Sequence, residues 1–120
     1  MTKSKSDIGR SSKRKGKRGE LEVANLLKAA GFEKAQRTAQ CKGKTGQAGD
    51  VEGLPGIHIE VKRVERLNLK AAYQQAVHDS KENSNNDIPA IFHRQSHGPW
   101  MVTLSLSDFL KVYEGDINNE

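Results

Sequence analysis

Apolar and polar positions divide the chain into short runs, and three of these runs have the spacing of helices. Residues 17–30 carry apolar side chains at helical spacing and stop at Gly31, which predicts a first helix. An apolar stripe over residues 69–82 predicts a second helix. Ser107 is a good cap for a short third helix over residues 108–113.

The remaining ordered runs alternate between apolar and polar residues, as strands with one buried face do. Leu54-Pro55-Gly56 is a turn signal between two of these runs, which therefore predict a β-hairpin. The predicted strands are residues 32–39, 50–53, 57–64, 88–93 and 100–104. The resulting order, α-β-β-β-α-β-β-α, predicts an α/β fold with a central mixed β-sheet flanked by helices.

The hairpin carries the clearest chemical feature of the sequence. If its arms are symmetric about the central proline, Val51 pairs with Ile59 and Asp50 lies opposite Glu60, about 5 Å away, with Lys62 on the diagonal. Like charges directly opposite each other are destabilising, so a cation is expected to offset them. Either the lysine or a bound divalent metal could do so. A salt-bridged surface hairpin without catalytic function is the alternative interpretation.

These residue types suit magnesium chemistry on phosphates. Carboxylates such as Asp50 and Glu60, together with the Val61 carbonyl, are the oxygen ligands that Mg²⁺ prefers. Lys62 could orient a water molecule or stabilise developing negative charge. Glu20 could complete the site if the first helix packs over the hairpin, although a carboxylate in a first helical turn is also favoured by the helix dipole alone.

The 120 residues carry a net charge of +5, and its distribution points to a polyanion partner. Residues 1–19 hold eight basic and one acidic residue, whereas the remainder of the chain is slightly acidic. We therefore expect a disordered basic tail over residues 1–15, a domain over 16–114 and a frayed terminus over 115–120. The residues expected to contact the DNA backbone lie in the basic segment and in the Gly-rich loop before Asp50: Lys13, Arg14, Lys15, Lys17, Arg18, Lys42 and Lys44.

Other common site types are not indicated. The chain has neither a transmembrane-length apolar run nor a secretory signal pattern, and Cys41 is its single cysteine. The four histidines share no ligand spacing; of these, His58 is expected on the Glu60 face, toward the turn. A cytoplasmic location without membrane association fits best.

The motif Gly49-Asp50, nine residues, Glu60-Val61-Lys62 resembles that of the PD-(D/E)xK nucleases, and within them the archaeal and phage Holliday junction resolvases. The helix that begins at Lys17-Arg18-Gly19-Glu20 resembles the first helix of that family with its glutamate. The predicted element order also matches the family core, a restriction-endonuclease-like fold. Gly49 is a departure, because the family name has proline there.

The resemblance implies a Mg²⁺-dependent DNA endonuclease, with Mn²⁺ able to substitute. By this resemblance Asp50 and Glu60 are metal ligands, Lys62 is the catalytic lysine and Glu20 is a further acid of the site. Gln75 would orient Lys62 or a water, although Gln74 competes for that role. A resolvase cuts two strands of a four-way junction symmetrically, which implies a homodimer.

Two other functions stay open at this point. One is a different structure-specific or nicking DNA nuclease with the same site. The other is a non-catalytic nucleic-acid-binding module, although such a module would not need the acids Asp50 and Glu60 facing a polyanion.

Overall fold

A computed structural model describes residues 5–39, 49–82 and 86–115, and for residues 5–13 it describes the backbone only. The elements follow the predicted order. In chain order they are α1 (Lys5–Ala29), β1 (Gln36–Arg37), β2 (Val51–Glu52), β3 (Ile57–Arg63), α2 (Leu69–Glu82), β4 (Ile88–Arg94), β5 (Met101–Thr103) and α3 (Leu106–Glu114).

The five strands form one sheet in the order β1-β2-β3-β4-β5. Strands β3 and β4 are parallel, and every other neighbouring pair is antiparallel. The parallel pair needs a long crossover, which α2 supplies. The expected α/β fold, a mixed sheet with flanking helices, is therefore confirmed.

The hairpin has the predicted register, because Val51 pairs with Ile59. Its first arm is only two residues long, and β1 is also shorter than predicted. At the turn, Gly53 and Gly56 have φ angles of 98° and 80°, a left-handed conformation in which glycine is favoured. These turn positions shorten β2, since the chain leaves the ladder at Gly53.

Helix α1 begins at Lys5, twelve residues before the predicted start, so the backbone of residues 5–15 is helical where the sequence predicted a disordered tail. The domain bounds stay a prediction. Apolar residues at helical spacing mark the part of a helix that packs on the core, and the segment 5–15 lacks that spacing. It contains no proline, and lysine and arginine propagate a helix well once it is nucleated. Residues 1–4 lie outside the described residues.

The helix ends were predicted with mixed success. Gly31, at φ 110°, stops α1 as expected: its N–H donates to the Lys28 carbonyl, and the Phe32 N–H donates to the Leu27 carbonyl, which is a Schellman motif. For α3 the predicted cap Ser107 is wrong. Ser105 is the N-cap, because its hydroxyl lies three residues before Asp108 and accepts that residue's N–H at 3.1 Å.

Apolar side chains cover both faces of the sheet. Between α1 and the sheet lies a core of Val23, Ala24, Val51, Ile59 and Val61. On the opposite face, α2 packs against β4 and β3, with Ala76 and Ile91 fully buried. Strand β3 is therefore covered by protein on both faces, and its polar face lies beneath α2 rather than in open solvent.

The turn geometry gives a stability prediction. A side chain at Gly53 would need a strained left-handed backbone, and its Cβ would collide with the Lys34 carbonyl group. We expect Gly53→Ala to lower the free energy of unfolding by ~2 kcal/mol or more, measured by urea denaturation. As a control, a Cβ at Gly16 meets nothing within 4 Å, so Gly16→Ala in helix α1 should raise stability by ~0.5–1 kcal/mol. Equal stabilities of the two variants would contradict this account of the turn.

Candidate active site

The two hairpin carboxylates lie side by side at the start of β2. The Asp50 N–H donates to the Ile59 carbonyl at 2.7 Å, which extends the β2–β3 ladder by one residue and places Asp50 beside Glu60. The Asp50 carboxylate then turns back to β3, where Oδ2 accepts the Val61 N–H at 2.7 Å. A backbone hydrogen bond therefore fixes the position of this side chain.

Burial and neighbouring charge make this arrangement costly for the ionised acids. The pKa of Asp50 is raised from 3.8 to about 7, first by burial and then by the charge of Glu60, with a smaller contribution from Glu20. The hydrogen bond from Val61 acts in the opposite direction. Near neutral pH, ionisation of Asp50 beside the Glu60 carboxylate is thus unfavourable, and a cation placed there would be strongly favoured.

The Val61 backbone faces the same cluster. In a strand, the N–H and C=O of one residue point to the same edge, and the Val61 N–H points toward Asp50. Its carbonyl therefore points to the same edge of β3. That the Val61 carbonyl contributes to a metal site stays a prediction.

Helix α1 brings Glu20 to the other side of Asp50. Glu20 forms an ion pair with Arg37 of β1, with 2.9 Å between Oε1 and Nε, and its charge contributes to the raised pKa of Asp50. Close helix packing is possible because the preceding residue is Gly19, where a Cβ would lie only 3.1 Å from the Arg63 Cβ. The third predicted carboxylate is thus near the first two.

Lys62 lies two residues after Glu60 and shares its face of the sheet. The side chain is half-buried, and no hydrogen bond or ion pair to it is found within residues 5–39, 49–82 and 86–115. Its partner on β4 is His93, whose ring bonds to the Thr103 hydroxyl and whose pKa is lowered by burial. A neutral histidine there avoids repulsion with the ammonium group.

Two residues that sequence reasoning did not assign contact Glu60 from the α2 side. His58 Nε2 lies 2.9 Å from Glu60 Oε1, and the side chain is almost fully buried. Asp79 of α2 is also buried, and ligand atoms of His58, Glu60 and Asp79 all lie within 4.8 Å of one another. Asp79 continues the buried stripe of α2 three residues after Ala76. An acid on an apolar stripe was the signal that could have identified it.

The choice between the two glutamines is clearer in the structure. Gln75 donates from Nε2 to Asp79 Oδ1 at 2.9 Å, one helical turn along α2. Both glutamines are exposed, and no bond from Gln74 to the cluster is found among the described residues. Gln75 therefore bonds to a member of the buried cluster, and its role of orienting Lys62 or a water stays a prediction, since no bond between Gln75 and Lys62 is found in the part of the chain that is described.

The residues predicted to bind DNA are only partly visible. Arg14, Lys17 and Arg18 are exposed on α1, and Lys15 forms an ion pair with Glu65 at 3.4 Å. The side chain of Lys13, and the whole of Lys42 and Lys44, lie outside the described residues. Among the helices that are described, none is long and apolar enough to cross a membrane.

Comparison with known proteins gives one match. The family described as "phage putative PDDEXK endonuclease" matches residues 11–119, which include the acids and the lysine of the hairpin. No curated protein and no solved structure matches the chain significantly. The match covers most of the sequence and agrees with the sheet and helix order described above. The chain therefore belongs to this phage endonuclease family of the PD-(D/E)xK superfamily.

Proposed function

We propose that this protein is a Mg²⁺-dependent DNA endonuclease that hydrolyses phosphodiester bonds at Asp50, Glu60 and Lys62. The observation that carries the proposal is the paired carboxylates of Asp50 and Glu60. The register of β2 against β3 and the hydrogen bond from the Val61 N–H hold them side by side, although burial and the charge of Glu60 raise the pKa of Asp50. Such a costly arrangement, in a chain of an endonuclease family, is typical of a site selected for chemistry.

The residues present fit a magnesium ion. Asp50 and Glu60 offer carboxylate oxygens and Val61 a carbonyl oxygen, the hard donors that Mg²⁺ takes while it keeps several waters. A bound divalent cation lowers the pKa of a coordinated water and polarises a phosphoryl oxygen. It would also relieve the repulsion between the two acids. Mn²⁺ accepts the same donor set and should substitute.

The other side chains prepare this centre. Lys62, an ammonium group with no described anionic partner, is placed to stabilise negative charge that develops on the phosphate or to orient the attacking water. Glu20 is held by Arg37 and adds negative charge beside Asp50. His58 bonds to Glu60, so we infer that it fixes the carboxylate orientation. Gln75 would act on the same group through Asp79.

A four-way junction is the substrate that we propose within this class, acted on by a homodimer. One surface favours a dimer. Leu106, Phe109, Leu110 and Tyr113 lie on one face of α3 and are all exposed, and no described residue of this helix is buried. The helix follows β5 in the chain, and this edge strand of the sheet also has Met101 and Val102 exposed. Apolar patches of this kind mark association sites.

Two other functions are weighed against this one. A nicking or repair nuclease would use the same acids and lysine but would not need the apolar face of α3. A non-catalytic DNA-binding module would need neither the pair of acids nor the lysine beside them. The proposed nuclease would act in the cytoplasm of a bacterium, an archaeon or a phage-infected cell, where its DNA substrate lies.

The catalytic assignment predicts the effects of two substitutions. With Mg²⁺ or Mn²⁺ present, we expect Asp50→Asn and Lys62→Gln each to lower the single-turnover cleavage rate of labelled DNA by roughly 10²-fold or more, because each removes charge stabilisation in the transition state. Glu33→Gln, which neutralises an exposed acid of the loop after α1, should leave the rate unchanged. Cleavage by the native protein in EDTA would refute the metal mechanism.

The raised pKa of Asp50 predicts how stability depends on pH. With a folded pKa of about 7 against an ordinary 3.8, the unfolded chain loses this proton first as pH rises. Relative to Asp50→Asn, the native protein should therefore lose stability between about pH 4 and pH 7, by at most ~1.4 kcal/mol per pH unit, and the difference should be constant above that range.

Urea denaturation of both proteins across this pH range measures the difference. At pH 8, Mg²⁺ should restore stability to the native protein but not to Asp50→Asn, because the ion binds the native carboxylates. If Asp50→Asn is less stable than the native protein at pH 8, the ionised Asp50 carboxylate does not destabilise the fold and the prediction is wrong.

Substrate structure and assembly are tested together. We expect paired, symmetric cuts in a labelled four-way junction and slower cleavage of linear duplex and single strands. Leu106→Asp should convert a dimer to a monomer in sedimentation and abolish the paired cuts, because it places a charge in the apolar patch. Leu26→Asp, which changes another exposed leucine, on α1, is the control. A native protein that is monomeric and cuts all three substrates alike would favour the unspecific nuclease.

A further inference from the structure

A strongly basic cavity lies at the carboxyl ends of β3 and β4, separate from the carboxylate cluster. Its volume is about 390 Å³, and the turn residues Ser96 and His97 line part of its wall. The rest of the lining carries positive charge and comes from α1 and the two strand ends: Arg14, Lys15, Arg18, Arg63 and Arg94. Segments far apart in sequence thus place five cationic side chains around one space.

Two carboxylates hold parts of this wall in place without neutralising it. Glu22 of α1 accepts hydrogen bonds from Arg94 at 3.3 Å and from the Trp100 indole at 3.1 Å, and it lies 3.8 Å from Arg63. Glu65 accepts the Ser96 N–H at 2.9 Å.

Glu65 also pairs with Lys15. Its pKa is lowered to about 2, mainly by the hydrogen bonds from Ser96, so Glu65 is ionised at any physiological pH. With Glu22 also counted as an anion, two negative charges face five positive ones.

Several donors of the cavity have no acceptor within the described chain. The buried Arg63 Nε makes no hydrogen bond, since 3.8 Å to Glu22 is too long for one. Arg14 and Arg18 point from exposed positions of α1 and have no ion pair among the described residues. Unsatisfied buried donors and an excess of like charge are both unfavourable, and an anion with several oxygens would satisfy them together.

The chemistry of the wall selects phosphate. Guanidinium groups present two parallel N–H donors that match the oxygens of a phosphate, and four of the five cations are arginines. The position of the cavity in the fold indicates which phosphate of a DNA strand it would bind. Arg63 directly follows Lys62 on β3, and its side chain points to the α1 face while Lys62 points to the α2 face. The cavity and the proposed catalytic centre therefore share one end of the sheet.

We propose that this basic cavity binds a backbone phosphate of the DNA substrate other than the phosphate that is cut. The proposal rests on the proposed function, because it takes DNA as the partner. A contact of this type positions the strand without reading its sequence, and it makes binding depend steeply on salt. Free inorganic phosphate would satisfy the same donors, but it offers no second phosphate to the catalytic centre.

The test is DNA binding by a variant in which Arg14→Gln and Arg18→Gln are combined. Both side chains are exposed and unpaired in the described chain, so the fold should be retained. The control combines Lys28→Gln with Lys81→Gln, which removes the same charge from exposed helix ends outside the cavity. Fluorescence anisotropy of a labelled duplex, measured in EDTA over a range of salt concentrations, gives the affinity and its salt dependence.

We expect the arginine variant to bind on the order of tenfold or more weakly at 0.1 M salt and to reduce the magnitude of the slope of log affinity against log salt by about 0.9, the contribution of one lost phosphate contact. The lysine control should bind like the native protein. Trp100, the single tryptophan, donates to Glu22 and lies 5.8 Å from the Arg94 guanidinium, so its emission should change when DNA binds to the native protein. That change should be lost in the arginine variant.

The outcomes separate this inference from the proposed function. Equal weakening of the arginine variant and the lysine control would overturn the cavity as a site, as would native affinity of the arginine variant or an absence of DNA binding by the native protein. If inorganic phosphate changes the Trp100 emission and duplex DNA does not, the proposal would also be overturned, because the ligand would then be the free anion. If the native protein binds DNA as expected but never cleaves it, the catalytic proposal fails while the cavity assignment stands.

Discussion

The hydrogen bond from the Val61 N–H to the Asp50 carboxylate joins the parts of this structure on which the site depends. It joins the Asp50 side chain to β3, and it holds an acid beside Glu60 that electrostatics alone would push away. Strand β2 is only two residues long, and this bond fixes the side chain of the residue that precedes it. The same bond shows that the Val61 N–H faces the Asp50 carboxylate.

Burial of the Asp50 carboxylate beside Glu60 has an electrostatic cost. A buried carboxylate with a pKa near 7 lowers the stability of the apo protein, and the surrounding core must offset that cost. Ile59 and Val61 belong to the core on one side of β3, while Glu60 is held from the other side by His58 and lies close to Asp79. The rigid, two-sided burial of β3 keeps the acids in place, and a bound cation would turn their repulsion into attraction.

Helix α1 serves different purposes along its length. In its C-terminal half, Val23 and Ala24 pack into the core, and Gly19 lets the helix approach β3 closely, so that the charge of Glu20 acts on Asp50. Arg14 and Arg18, earlier in the same helix, line the basic cavity. One helix thus contributes to both the carboxylate cluster and the positive surface.

The sequence by itself determined the order of the elements, the hairpin register and the pairing of Asp50 with Glu60. Side-chain alternation and turn residues are local constraints, and a one-residue slip would have turned Ile59 and Val61 out of the core. The tertiary structure alone decided that Asp79 and His58 lie beside Glu60, that Gln75 bonds to Asp79, and that Arg63 and Arg94 share a cavity with Arg14. These groupings depend on how α1 and α2 pack on the two faces of the sheet, and the period of a single helix or strand carries no information about its neighbours. The sequence also could not place the start of α1, because apolar residues at helical spacing mark where a helix packs and not where it begins.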